Sequence, residues 1–294
     1  MPIRDATTED LDAIGSLARG DRLMRQSWDP LSWPDVAESG ARHDLWIRRL
    51  LADPGAIALV AVGPTGAVDG VLISRPARLD EGVWVIEEFI VASLLMWPTA
   101  GRALLAAAGG RLSRYRGAGF ALGCPPNDHA MASILDSAGL RPAFRFRIRS
   151  LGTPAGTLRS TMPLPPPAIG PEPLPHSLST SPAIGTPIWC SFGGAQALLG
   201  QRRWAQRGGT VVGVADPVMS SGFVDVDLAV IELVERHLRT IGIGTSIVVS
   251  AGHGVSALDV ALDQLGYADC LDWWTTAPTS LLMLEAPTRR SITG

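Results

Sequence analysis

The sequence predicts a mixed α/β protein built from two units, and three observations carry that expectation. Apolar residues alternate between strand-like runs and helix-like periods along most of the chain. A proline-rich stretch near the middle breaks this pattern, and a short strand–loop–helix signature recurs on either side of it. The chain has 294 residues, 46% of them hydrophobic and 18% charged, which is enough apolar material for sizeable cores.

The first unit, residues 1–163, opens with a short strand from Pro2 to Ala6. Thr7-Thr8-Glu9-Asp10 then has the form of a capping box, ahead of a helix with Leu11, Ile14 and Leu17 on one face. A second helix is expected from Trp33 to Leu51, ending before Asp53-Pro54-Gly55. Ala56–Val62 and Val68–Ser74 read as a hairpin around Gly63-Pro64-Thr65-Gly66, and Val83–Val91 as a third, longer strand. A helix over Thr99–Tyr115, a strand over Gly119–Gly123 and a helix ending at Gly139 follow. In Ala143–Ser150, Arg145, Arg147 and Arg149 alternate with apolar residues, so they share one strand face, expected to be a solvated outer face.

Residues 164–186 hold prolines among Gly, Ser and Thr with no apolar period, the composition of a semi-rigid linker. The second unit, 187–294, is expected to carry strands at Thr210–Ala215, Thr245–Ser250, Leu271–Thr276 and Leu281–Glu285. Its helices are expected at Asp225–Thr240 and Val255–Leu265. Gly117-Ala118-Gly119 precedes a strand, a loop with His129 and a helix ending in Ala138-Gly139-Leu140. Gly242-Ile243-Gly244 precedes a strand, a loop with His253 and a helix ending in Leu265-Gly266-Tyr267. This parallel reads as a degenerate duplication, the second copy truncated at its front. Both histidines are expected in solvated loops. Of Trp273-Trp274, one indole is expected in the core and the other at the surface or a domain interface.

Composition removes several function classes. Lys and Arg together number 25 and every one is Arg, which excludes a lysine Schiff base, a pyridoxal-phosphate enzyme and a P-loop lysine. A net charge of -3 with no basic stripe makes nucleic acid an unexpected partner. The acidic start (Glu9, Asp10, Asp12) is unlike a signal peptide. The longest apolar stretch, Phe89–Gly101, is short for a membrane span and contains Pro98. A cytoplasmic protein without a membrane partner is therefore expected. Cys124, Cys190 and Cys270 are widely spaced, so neither a disulfide framework nor a metal site is expected.

The order strand, two helices, hairpin, long strand, helix, strand, helix, strand resembles the GNAT N-acetyltransferase superfamily. So do Ile3-Arg4-x-Ala6-Thr7-x-Glu9-Asp10, the hairpin ending in Gly70-Val71, and Asn127 with Ala130 ahead of Ala138-Gly139-Leu140. The resemblance implies a largely antiparallel sheet flanked by helices and splayed to admit the arm of acetyl-CoA as co-substrate. The acceptor it implies is an amine on a small molecule or peptide. It places CoA contacts at Phe89, Ile90, Val91, Gly101, Arg102 and Asn127, with the pyrophosphate on backbone N–H groups at a helix start. Only Gly101 keeps the small-residue loop pattern of that family; Met96, Trp97 and Pro98 depart from it. Arg239-Thr240-Ile241-Gly242-Ile243-Gly244 spells a similar loop, but its place between a helix and a strand argues against that role.

Glu87 and Glu88 are the candidate general bases, because strand alternation sends one of them into the cleft and apolar neighbours should raise its pKa. A pair of satisfied polar residues at a strand edge is the alternative. The residue expected to protonate the leaving thiolate is Tyr in the family, whereas Leu135 stands there, and Leu262 in the second copy. The functions these residues allow are acyl-CoA-dependent N-acyl transfer or a binding scaffold that has shed CoA. A nucleotide binder in the second half is disfavoured by the poor cradle at Asp216-Pro217.

Overall fold

The computed structural model describes residues 1–34, 39–77, 82–115, 119–152, 188–193, 195–204, 210–219, 222–251 and 255–276. The proline-rich linker, His253 and the strand expected at Leu281–Glu285 lie outside the described residues.

The strands are β1 (Ile3–Asp5), β2 (Ile57–Val62), β3 (Val68–Pro76), β4 (Val83–Val91), β5 (Gly119–Cys124), β6 (Arg141–Ser150), β7 (Ile188–Phe192), β8 (Ala195–Trp204), β9 (Thr210–Met219), β10 (Thr245–Ala251) and β11 (Ala268–Thr275). The helices are α1 (Leu11–Trp28), α2 (Ser39–Ala52), α3 (Arg102–Leu112), α4 (His129–Ser137), α5 (Val224–Thr240) and α6 (Ala257–Gln264). All strands join one mixed, mostly antiparallel sheet in the order β1-β2-β3-β4-β5-β11-β6-β10-β9-β8-β7.

From β2 onward this order is unchanged when it is read backwards with β2 exchanged for β7, β3 for β8, β4 for β9, β5 for β10 and β6 for β11. The parallel pairs obey the same exchange. β4 meets β5 over Val83–Val85 and Gly119–Ala121, and β9 meets β10 over Gly213–Ala215 and Ser246–Val248. At the centre β6 and β11 run antiparallel with Arg145 opposite Asp272, joined Nε to Oδ1 at 2.8 Å. β1, α1 and α2 have no counterpart among the described residues of the second half.

Burial follows the two sheet faces. α3 and α4 cover Trp84, Ile86, Phe89 and Leu122, and α1 and α2 cover Val60, Val71, Ile73 and Ile90. α5 and α6 cover Ala197, Leu199, Ala215 and Val248. A fourth cluster crosses the sheet centre from Val83 and Val85 through Phe146, Leu271 and Trp273 to Val214 and Ile247. Trp274, on the opposite face from Trp273, enters the core under α3 and α4, so both indoles are buried. Strand alternation thus fixed their faces, but β11 lies mid-sheet, where both faces are covered.

The arginine face of β6 corrects the expectation of a solvated surface. Arg147 is buried and its Nη1 lies 2.7 Å from Asp263 of α6, while Arg149 meets Glu235 of α5 at 2.8 Å. Because β10 and β11 flank β6, this face lies under the second half's helices. A second correction concerns α2, described over Ser39–Ala52, which does not include Trp33. Trp33 precedes Pro34, and the residue before a proline is steered out of the helical region. Its ring lies instead 5.1 Å from the Arg25 guanidinium.

Candidate active site

Chemistry-bearing side chains converge where β4 leaves β5. Parallel pairing stops at Val85 and Ala121, so among the described residues Ile86–Val91 run on with β3 alone as strand partner. Within that stretch β3 pairs Ile73 with Glu88 and Ser74 with Ile86, which leaves Glu87 as the extra residue of a β-bulge. A bulge breaks strict alternation and re-aims side chains. The two glutamates accordingly do not split between cleft and solvent: each is drawn into a buried pair.

Glu87 has a fully buried side chain whose Oε1 accepts from Arg75 Nε at 2.8 Å. Its Oε2 is buried and has no hydrogen-bond partner among the described residues. Burial pushes the Glu87 carboxyl up and Glu88 adds to this, while the Arg75 charge and hydrogen bond pull it back; the balance falls at about 7. Glu88 Oε1 lies 2.7 Å from Nε2 of His43 on α2. Burial lowers the His43 pKa, but the Glu88 carboxylate beside it outweighs burial, and the net direction is upward.

The neighbouring α1 contributes Asp21 and Arg25, paired Oδ2 to Nε at 2.7 Å and both nearly enclosed. Burial raises the Asp21 carboxyl, with the charges of Glu88 and Asp128 adding to it. Asp128 caps α4, its Oδ1 accepting from the Met131 N–H at 3.0 Å, while its buried Oδ2 has no partner among the described residues. Asp21, Glu87, Glu88 and Asp128 are thus linked by their mutual electrostatics, balanced by Arg25, Arg75 and His43. Arg75, His43, Asp21, Arg25 and Asp128 were absent from the sequence reading. The available signal was Arg75, a charge just after the apolar run of β3, on the strand next to the two glutamates.

On the other face the segment before α3 is helical. A tight turn, Leu94–Met96, and a wide turn, Trp97–Gly101, run straight into Arg102. The Met96 N–H donates to the Ser93 carbonyl and the Arg102 N–H to the Trp97 carbonyl, while Pro98 has none to give. The Trp97 indole is buried against Phe89, ring centres 4.8 Å apart and edge to face. Gly101 serves this packing, since a Cβ there would overlap the Trp97 ring.

The remaining candidates scatter around this seat. Phe89 and Ile90 are buried on opposite faces of β4, and Val91 is half-buried. Arg102 and Asn127 are exposed. Leu135 is fully buried. An open groove of about 830 Å³ runs between α3 and the C-terminal part of α4, from Arg102 to Tyr115 and Thr276. In the second half α5 begins with Asp225 and Asp227 in its first turn, charges that suit the helix dipole and repel a phosphate. Among the described residues no His, Cys, Asp and Glu group is arranged to hold a metal ion, and no helix is long and apolar enough to cross a membrane.

No protein-family model and no curated protein sequence matches the chain. Solved structures do. A ribosomal-protein-alanine N-acetyltransferase from Brucella melitensis is 22% identical with a TM-score of 0.40, over 50% of this chain and 88% of that one. An aminoglycoside 6'-acetyltransferase type Ii is 17% identical with a TM-score of 0.38, over 48% of this chain and 84% of that one. A tandem GNAT protein from the clavulanic acid biosynthesis pathway is 13% identical with a TM-score of 0.44, over 94% of this chain and 99% of that one.

Proposed function

We propose that the chain is an acyl-CoA-dependent N-acyltransferase in which Glu87 removes a proton from a bound ammonium. The observation that carries this reading is the Glu87 carboxyl itself: buried, anchored by Arg75 through one oxygen, bare at the other and poised near neutral pH. The freed amine attacks the thioester carbon and the new N–C bond forms as the C–S bond breaks; the proton taken by Glu87 passes to solvent, and the nitrogen's second proton is lost to water as the amide forms. Backbone N–H groups on the unpaired edge of Phe89–Val91 polarise the carbonyl. With Leu135 in place of a hydroxyl donor, the departing thiolate takes its proton from water. Arg102, without an ion-pair partner among the described residues and at the mouth of the groove, supplies charge for the donor's phosphates. The acceptor approaches from the α1/α2 side, where Asp21, Glu87 and Glu88 favour an ammonium.

The palindromic strand order supports reading the halves as degenerate copies, with units at 1–163 and 187–294 and the linker 164–186 between them. Asp225 and Asp227 give the second copy a supporting role rather than a second donor site. One observation favours a different reading, a scaffold that has shed CoA: the helical turn Trp97–Gly101 stands where a phosphate-binding loop would open. The deciding experiment is thiol release from acetyl-CoA across a panel of amines, with Glu87→Gln alongside. Turnover that falls about 10²-fold or more in the variant supports the base role. Turnover untouched by the substitution removes it.

A further inference from the structure

We infer that Trp97 occupies part of the donor site and must leave its seat when the thioester arm binds, so that this indole sets donor affinity. The inference rests on the acyltransferase reading and goes beyond it to the regulation of the same site. β4 loses its pairing with β5 after Val85, and the residue packed on the freed stretch is Trp97, edge to face on Phe89. The turn that carries it, Trp97–Gly101, packs against both β4 and α4. The indole N–H is buried with no acceptor among the described residues, as are those of Trp273 and Trp274. The seat depends on a single missing methyl group, since a Cβ on Gly101 would overlap the ring.

Gly101 has ordinary helical dihedral angles, φ -60° and ψ -50°, so alanine is welcome there except for the indole. Gly101→Ala therefore unseats Trp97 while deleting no side-chain atom of the native chain. A binding-competent state that is populated only in part weakens apparent affinity by that fraction. Gly101→Ala is accordingly expected to bind acetyl-CoA about tenfold or more tightly than the native chain. Trp97→Ala should do the same where it folds.

The test is acetyl-CoA titration of the full chain labelled with 5-fluorotryptophan, the Trp97 fluorine resonance among the nine tryptophans being identified with Trp97→Phe. The expected result is saturable binding, a Trp97 resonance that moves with it, and tighter binding by Gly101→Ala. Saturable binding with the Trp97 resonance unmoved and no gain in Gly101→Ala overturns the inference and leaves the acyltransferase reading standing. Absence of binding at millimolar acetyl-CoA in both native chain and Gly101→Ala overturns both.

Discussion

Arg75 and Glu87 link reactivity to stability. The Glu87 carboxyl titrates near 7 in the fold against 4.5 for an ordinary glutamate. The stability tied to this group is thus fully present below pH 4.5 and is lost as pH rises through 7. A shift of this size corresponds to roughly 3 kcal/mol between those limits. Urea midpoints of the native chain should therefore fall, relative to Glu87→Gln, between pH 5 and pH 8; parallel curves would contradict the buried assignment. Arg75→Ala leaves the carboxyl buried without its cation. It should cost about 3–5 kcal/mol of stability and move the acidic limb of the pH–rate profile upward, since the group then loses its opposing charge. A profile that stays in place would separate Arg75 from the base.

Elements show where the sequence was legible and why it stopped being so. The bounds of β4 match the apolar run Val83–Val91, because a strand buried on both faces writes itself as continuous hydrophobicity. The cap at the start of the chain was also readable. Asp10 Oδ2 accepts from the Thr7 N–H at 2.8 Å and both its oxygens meet Arg4 at 2.7 Å. Burial works against this ion pair, but the Arg4 hydrogen bond outweighs it and holds the Asp10 carboxyl at about 2. Asp10→Ala should cost about 1–2 kcal/mol in urea unfolding, and an unchanged midpoint would refute the cap. The hairpin β7–β8 was missed although Phe192 pairs with Ala195 around a Gly-Gly dipeptide, itself a hairpin signal. Its strand residues mix glycine, glutamine and arginine with the apolar ones, which hides the period. The paired fate of Glu87 and Glu88 was illegible for a different reason. A bulge depends on register with β3, and no local pattern in Val83–Val91 records it. The arginine face of β6 misled in the same way, since its period was right and its cover comes from α5 and α6, far along the chain.

At the scale of the molecule, the two halves share strands as well as a surface. β11 from the end of the chain lies between β5 and β6, and Trp274 sits in the core beneath α3 and α4. Thr276 extends the seam, its Oγ1 accepting from the Phe120 N–H at 2.8 Å. Neither half can close its sheet alone. Trp274→Ala should cost about 3–5 kcal/mol and lower the stability of the whole chain in one cooperative urea transition. Two separate transitions, or a cooperatively folded fragment of residues 1–152, would contradict a shared core. The same exchange of strands pairs the end of β5, Ala121–Cys124, with β11, and so fixes the approach to Asp128 at the start of α4.

The measurement closest to the central claim is calorimetric titration of acetyl-CoA into the full chain, with CoA and adenosine bisphosphate as comparisons. Saturable binding of one acetyl-CoA per chain is expected, strengthened by Gly101→Ala and weakened by Arg102→Ala. No heat of binding at millimolar acetyl-CoA from either the native chain or Gly101→Ala would contradict it and leave a scaffold without a donor.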